Sequence, residues 1–558
     1  MSPAMTGLVS VTATGQAAAE RLAAAWPDAR RYEGPAAAAL PQAFGECDAV
    51  VCFLAVGATV RLLAPLLIGK HEDPGVVCVD EALRYAVPVL GAHRGGGNEL
   101  ARRVAETLGA EPVITTASDA AGTAGLDDFG ADLGFTIEPG SDLAAVGAAI
   151  LSGGRVTFTA DQEWPLPALP SNVVRTDRPE PGVPAVLVTD QRIDLPERAA
   201  VYRPPSLIVG VGASRGAPAA EIGQLIDGTL AELGLCARSV RHIATVDAKA
   251  DEPGLQAAAA GRGWQVVTFP ASRLAAVPVP NPSEVVRRAV GTPSVAEAAA
   301  LIDPGAAALI DPGATLLAAK RASAHATVAV ARGRPRGRLT VIGIGPGARD
   351  LMTPRAVAGL RRAAVVAGLD AYLEQVADLL RPGTRVLASG LGAEQERAAE
   401  AVAQARAGRA VALISSGDAG VYAMGSPALE IADEAIDVTV VPGVTAALAV
   451  AAVLGAPLGH DHVMISLSDL HTAWPVIERR VTAAAEGDLV TCFYNPASAR
   501  RTWQLRRALE LLAARRPPGT PVGWVRDASR PGQAESLSTL RDFDPGQADM
   551  RTLVVVGS

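Results

Sequence analysis

Four stretches between residues 338 and 558 set glycine and polar side chains directly behind apolar runs, where a backbone can close on a small ligand. The first is Gly343-Ile344-Gly345-Pro346-Gly347. Its glycines permit positive φ and close approach, while Pro346 and the distance to the next helical pattern separate it from a dinucleotide fingerprint. The second, Ser415-Ser416-Gly417-Asp418-Ala419-Gly420-Val421-Tyr422, follows a run at 411–414 that reads as a strand. Open α/β sheets bind ligands at such carboxyl ends. Asp418 suits a cation or a hydroxyl there, or an Asx turn capping the next helix. The third, Val441-Pro442-Gly443-Val444-Thr445-Ala446-Ala447, offers Thr445 as a helix N-cap. The fourth, Phe493-Tyr494-Asn495-Pro496, presents an amide that donates and accepts, fit for an adenine edge or a carboxylate. His460 and His462 are spaced i, i+2 with no third ligand nearby, so no metal site is expected.

The elements that must hold these loops follow from the apolar pattern. Short apolar runs at 8–11, 49–54, 76–79 and 87–90 alternate with helical stretches at 16–26, 59–67 and 100–108, which predicts a doubly wound parallel sheet. From 129 to 204 proline is frequent and helical periodicity weak, so a small, irregular middle region is expected. A new unit starts at 207–211 and runs through a helix at 217–233 and strands near 243 and at 266–269 to a last strand at 327–331. The Arg/Gly/Pro stretch 332–338 reads as a solvated linker. Beyond it come strands at 339–344, 411–414 and 438–441, a helix at 444–454, and strands at 463–467, 489–493, 522–525 and 552–556. The fold class is α/β and multidomain. N-terminal doubly wound units (1–128 and 205–331, around a variable 129–204) are followed by two lobes, 339–442 and 443–558.

Composition narrows the partners. A net charge of −8 with 4% aromatic residues argues against nucleic acid. Five cysteines without a CxxC argue against a disulfide framework or a zinc site. No signal-peptide pattern opens the sequence and no uncharged apolar run reaches the roughly 20 residues of a membrane span. The expectation is a cytoplasmic protein with no membrane partner.

Taken in order, GIGPG, SSGDAGVYAMGSPALE, VVPGVTAALAVAAVLGAPL, ISLSDLHTAWPVIERR, FYNPASARR and PVGWVRDASRPGQAESL resemble the tetrapyrrole (corrin/porphyrin) methylase family. HDHVMISLSDL with TCFYNPASARRTWQL is most similar to its precorrin-3B C17-methyltransferase branch. The resemblance covers 338–558. It implies a two-lobed α/β fold, a homodimer through this region, a tetrapyrrole substrate, and S-adenosylmethionine in the interlobe cleft. The cofactor would contact Gly345, Pro346 and Gly347, and Gly417, Asp418, Gly420, Val421 and Tyr422, with Thr445 and Asn495 nearby. Ala419 departs from the family, which often has proline there. The implied reaction is methylation at ring carbon C17 coupled to ring contraction. Methyl transfer asks chiefly for alignment. Contraction needs proton movement, for which Asp469, His471 and Tyr494 are candidates, although the family more often has an apolar residue at His471. Arg526 and Arg530 are candidates for the substrate's carboxylates.

In the N-terminal half, GAHRGGGNELA places Gly95, Gly96 and Gly97 before a helix whose start, Asn98-Glu99, could offer N–H groups to an anion, with His93 and Arg94 beside it. This block, with VGVGASRGAP, TVDAKADEPGL and NPSEVVRRAVGTPSVAEAAAL, resembles the cobalamin-biosynthesis lactone-opening hydrolases over 1–331. Their activity opens a ring lactone and releases acetaldehyde. If it carries over, Glu221, Lys249, Asp251 and Glu252 are candidate acid/base or binding groups. Three readings stay open: a bifunctional enzyme; a methylase whose N-terminal half only binds the intermediate; and a methylase of another ring position or another substrate. Acetaldehyde release separates the first two.

Overall fold

Alternation of side chains along each strand decides which helices cover which face. In the computed structural model, which describes residues 5–69, 72–92, 96–116, 125–302 and 314–558, five sheets form. The chain divides into two compact units, 1–162 with 169–334, and 163–168 with 335–558.

The first sheet of the first unit runs Ala29–Tyr32, Thr6–Ser10, Ala49–Phe53, Gly75–Val79, Tyr85–Leu90, Glu111–Pro112. Leu8, Val51 and Val77 pack on helices Ala13–Ala25 and Gly97–Leu108, while Val9, Val50 and Val76 pack on helix Ala36–Glu46. Helices on both faces make the doubly wound layer, but the sheet is not wholly parallel. Tyr85–Leu90 returns antiparallel to Gly75–Val79. The connection is a tight turn in which Asp80 accepts the Tyr85 N–H at 2.7 Å and Leu83 takes φ +55°. So short a link cannot make a parallel crossover.

The middle region is more regular than its sequence implies. Val156–Ala160, Ala185–Val188 and Ala199–Arg203 form a parallel, largely buried sheet, edged by Val173–Arg175 and Thr136–Ile137. Strands of three to five residues between prolines are too short to show a period.

The third sheet is ordered Val266–Phe269, Val240–Val246, Leu207–Ala213, Ala326–Arg332, Thr315–Ala322. Its first three strands are parallel and its last two antiparallel. Helices Ala219–Glu232 and Pro253–Ala260 cover one face and Val295–Ala300 the other. The stretch 332–338 is not a solvated linker. Arg332 ends one strand and Gly337–Gly343 begins the next. Arg332 forks onto buried Asp190 at 2.6 and 2.7 Å, and Arg336 pairs with Asp437 at 3.0 Å.

In the second unit, the first lobe is a parallel sheet ordered Arg385–Ser389, Val365–Leu369, Ala410–Ser415, Gly337–Gly343, Ile436–Val441. Leu339 and Val341 face helices Glu394–Arg406 and Gly425–Ile431, and Ile342 faces Pro354–Arg362. The second lobe is mixed. His462–Ser466 and Val490–Tyr494 are parallel, and Thr552–Val556, Pro521–Arg526 and Ala534–Thr539 add on antiparallel. Among the described residues no helix is long and apolar enough to cross a membrane.

Candidate functional site

The two central strands of the first lobe, Gly337–Gly343 and Ala410–Ser415, lie side by side but send their chains in opposite directions. Gly337–Gly343 leads through Pro354–Arg362 to Val365–Leu369 on one side. Ala410–Ser415 leads through Gly425–Ile431 to Ile436–Val441 on the other. Because those helices cover opposite faces, a crevice opens beyond the carboxyl ends of the two strands. The first two glycine loops leave the sheet there.

The loops are locked backbone to backbone. Gly345 and Gly417 exchange N–H···O bonds of 3.1 and 2.8 Å. A Cβ on Gly443 would lie 2.2 Å from the Gly417 carbonyl oxygen and 2.7 Å from that of Gly343, so the third loop belongs to the same cradle. Asp418 ties it together, accepting the Gly420 N–H at 2.8 Å and the Gly443 N–H at 3.0 Å. Its carboxylate thus closes both an Asx turn and the junction of two loops. Gly345 sits at φ +79° and Gly417 at φ +67°.

The second lobe reaches back over this cradle. Arg530 donates Nε to the Pro346 carbonyl at 2.6 Å and Nη2 to Ser416 Oγ at 3.0 Å, and Ala348 N–H donates to Ser529 Oγ at 3.2 Å. Arg530 is therefore a clamp on the first two loops, not an open receptor for a carboxylate. Arg526 likewise is paired, with Asp549 at 3.1 Å. Tyr422, at φ +50°, donates its hydroxyl to the Met464 carbonyl at 2.7 Å, and its ring lies 5.1 Å from that of Tyr494.

Thr445 occupies the N-cap position of helix Ala446–Val453 but does not cap it with its side chain. The Tyr494 hydroxyl does so, accepting the Ala447 N–H at 2.9 Å and sharing a 2.6 Å bond with Thr445 Oγ1. Burial pushes the Tyr494 phenol up in spite of those bonds. A hydroxyl committed to a helix end and to Thr445 Oγ1 suits a positioning role better than proton transfer. Tyr494→Phe is expected to cost about 1–2 kcal/mol of stability, as for a lost cap or buried hydrogen bond, and to leave methyl transfer within a few-fold. Unfolding curves beside a transfer assay check this; a 100-fold loss of rate would restore the acid/base role.

Asn495, at φ +50°, follows directly and donates its amide to Ser466 Oγ at 3.1 Å. Arg501 bridges the Asn495 carbonyl at 3.1 Å and Ser468 Oγ at 3.0 Å, a tie the sequence reading did not name. Asp469 is exposed and accepts from Gln504 at 3.1 Å. His471 is exposed and is not gathered with Tyr494 into one hydrogen-bonded group. Among the described residues no cluster of histidine, cysteine and carboxylate side chains could hold a metal.

In the first unit, His93, Arg94 and Gly95 lie outside the described residues. Gly96 takes φ +70° before the helix, but the following N–H groups are taken: Gly97 donates to the Gly91 carbonyl at 2.9 Å and Asn98 to that of Ala92 at 2.7 Å. Asn98 is 2% exposed, its amide 3.4 Å from Thr116 Oγ1. This helix start is tied to its own loop, so Asn98 offers no backbone donor to an anion. Glu252, 7% exposed, accepts the Gly216 N–H at 2.6 Å and Lys249 Nζ at 3.2 Å, and the first of these holds its carboxyl below the usual range. Asp251 is exposed. Glu221 accepts Ser323 Oγ at 2.6 Å, the His325 N–H at 2.7 Å and His325 Nδ1 at 2.9 Å; the serine bond leads in holding it down to about 2.

That shift has a sign. The folded value lies below the ordinary 4.5, so the carboxylate stabilises above pH 4.5 and the benefit is lost as pH falls towards about 2. Glu221→Gln should therefore unfold more easily than wild type at neutral pH, with the gap closing through that window. Melts across pH check this, and a gap that survived at pH 2 would refute it.

Comparison with known proteins places this geometry. Residues 338–544 match the family described as Tetrapyrrole (Corrin/Porphyrin) Methylases. Residues 38–119, 124–204 and 207–331 match the Cobalamin synthesis G N-terminal, Cobalamin biosynthesis central region and Cobalamin synthesis G C-terminus families. The chain is 47% identical over 223 residues to the "Probable cobalt-factor III C(17)-methyltransferase" of Salmonella typhimurium, covering 39% of this chain and 92% of that protein. The chain belongs to the tetrapyrrole methylases. It is also 42% identical to the precorrin-3B C(17)-methyltransferase of a Sinorhizobium species, over 40% of this chain and 89% of that protein. Over 54% of the chain and 82% of the relative, it is 33% identical to the cobalt-precorrin-5A hydrolase of Priestia megaterium. The methylase and cobalamin synthesis G family matches thus cover different parts of one chain.

Proposed function

We propose that the chain carries two steps of cobalamin biosynthesis: methylation at C17 of precorrin-3B or its cobalt form with ring contraction, and lactone opening with acetaldehyde release. The observation that carries this is the identity to named C17-methyltransferases over nearly their whole length, joined on one chain to a hydrolase relative.

The crevice fits S-adenosylmethionine. Its walls are backbone groups of loops too tightly packed for side chains at Gly343 and Gly443, with the amide of Asn495 close to Ser466. When bound, that cofactor supplies an electrophilic methyl on a sulfonium that leaves readily. Gly345, Pro346, Gly347, Gly417, Gly420, Val421, Tyr422 and Asn495 would line its site. Asp418 and Thr445 contribute by setting loop and helix geometry. The protein's task is alignment of carbon, methyl and sulfur, which is worth several kcal/mol of barrier. Asp469 and His471 remain the groups proposed to move protons during contraction. The first and third sheets, within 1–128 and 205–331, form the hydrolase-like half, and the lobes 339–442 and 443–558 the methylase half, acting in the cytoplasm as a homodimer through the latter. Tethering the halves raises the local concentration of an unstable intermediate.

The test is positional. S-adenosylmethionine labelled with 13C in its methyl group is incubated anaerobically with metal-free and cobalt-bound trimethylated precorrin. Label at C17 by NMR is expected with one of the two; label at another ring carbon would discard the regiochemistry.

A further inference from the structure

The third sheet of the first unit gathers chemistry at one edge. Leu207–Ala213 and Val240–Val246 run parallel and end there, and Ala326 pairs with Ala213, so the turn 323–325 hangs over the same edge. Ser214 N–H donates to the His325 carbonyl at 2.8 Å, joining that turn to the loop 214–217. Glu221, in the first turn of Ala219–Glu232, grips His325 twice. One carboxylate oxygen takes Ser323 Oγ and the His325 N–H, and the other takes the imidazole Nδ1 at 2.9 Å. The ring is thereby fixed, with Nε2 turned away from the carboxylate and the side chain 55% exposed. A carboxylate on Nδ1 is the arrangement that fixes the orientation of an imidazole and leaves Nε2 to face a substrate. Two cations share the edge: Lys249, paired with Glu252, and Arg215, exposed and without an ion pair among the described residues.

We infer that His325 is the general base of lactone opening, with Glu221 as its positioning residue, at an edge whose cations suit a macrocycle rich in carboxylates. The inference rests on the hydrolase reading of the N-terminal half. Water gives a proton to His325 Nε2 as its oxygen bonds to the lactone carbonyl carbon. The ring C–O bond then breaks. The alkoxide so formed collapses to the carbonyl of acetaldehyde as the C–C bond joining it to the macrocycle breaks, and the ring carbon left with that electron pair recovers the proton from the imidazolium. One water is consumed, and a carboxylic acid, acetaldehyde and a ring C–H result. Glu221 stays ionised throughout. The sequence pointed to Glu221 but not to His325, which stands alone in a hairpin turn 104 residues away.

The experiment uses the full chain with cobalt-precorrin-5A, following acetaldehyde and the ring-opened product. His325→Gln should lose at least about 100-fold in rate, the usual range for removing a general base, while methyl transfer is unchanged. Imidazole added to His325→Ala should restore part of the rate, which a merely structural histidine would not allow. Glu221→Gln should lower kcat with KM little changed. Arg321→Gln, on the same hairpin but paired with Glu232, should behave as wild type. If wild type opens the lactone and His325→Gln keeps its rate, or if the lost rate of His325→Ala is not restored by imidazole, the assignment to His325 is wrong and the hydrolase reading stands. If wild type releases no acetaldehyde, the hydrolase reading fails and takes this inference with it.

Discussion

Gly345→Val is expected to lower affinity for S-adenosylmethionine by roughly 10- to 100-fold, the factor that ~1–3 kcal/mol of binding energy represents. Gly345 sits at φ +79°, where an L side chain is strained by ~1–3 kcal/mol, and its Cβ would stand 2.8 Å from the Leu351 carbonyl oxygen. The strain can be relieved only by moving the loop, which would break its paired bonds to Gly417 and pull Pro346 from Arg530. Gly519→Ala, in open space, should bind as wild type. Calorimetric titration reads both, with melts to show that each variant is folded. Unchanged affinity for a folded Gly345→Val would move the cofactor elsewhere.

The second large effect lies in the first unit. Asp190 is 1% exposed and accepts Arg332 Nε at 2.7 Å, Arg332 Nη2 at 2.6 Å and Ser206 Oγ at 2.6 Å. Its own carbonyl takes the Cys236 N–H at 2.7 Å. This one residue joins the end of the middle sheet to the start and finish of the third sheet. Asp190→Ala would leave a mostly buried guanidinium without its partner, a change that costs ~3–5 kcal/mol. Denaturant unfolding of the full chain should show the first unit's transition shifted accordingly. A loss below about 1 kcal/mol would mean that Arg332 behaves as the solvated linker residue its neighbours suggest.

Arg332 also illustrates what could be read in advance. Its Gly/Pro surroundings are those of a linker; only the return of a strand to Asp190, 142 residues away, shows the pairing. The loops at 343–347, 415–422, 441–447 and 493–496 were legible because glycine after an apolar run has few other uses. What each polar group does there was not. Thr445 looks like a cap, yet Tyr494 does the capping across 47 residues. Arg530 looks like a carboxylate receptor, yet its fork is spent on Pro346 and Ser416. Such partners are chosen by tertiary approach, which no local pattern encodes. Elements hid for a related reason. Arg385–Ser389 and Ala534–Thr539 are edge strands, exposed along much of their length, and carry no apolar alternation to betray them. The buried runs at 207–211 and 552–556 could hardly be missed.

Methylation of a tetrapyrrole by this chain is read in an anaerobic incubation of the full protein with S-adenosylmethionine and a trimethylated precorrin, metal-free and cobalt-bound in parallel, followed by mass spectrometry of the macrocycle. The mass gain of a single methyl group is expected with one of the two substrates. No gain with either would show that the chain is not a methylase of these rings.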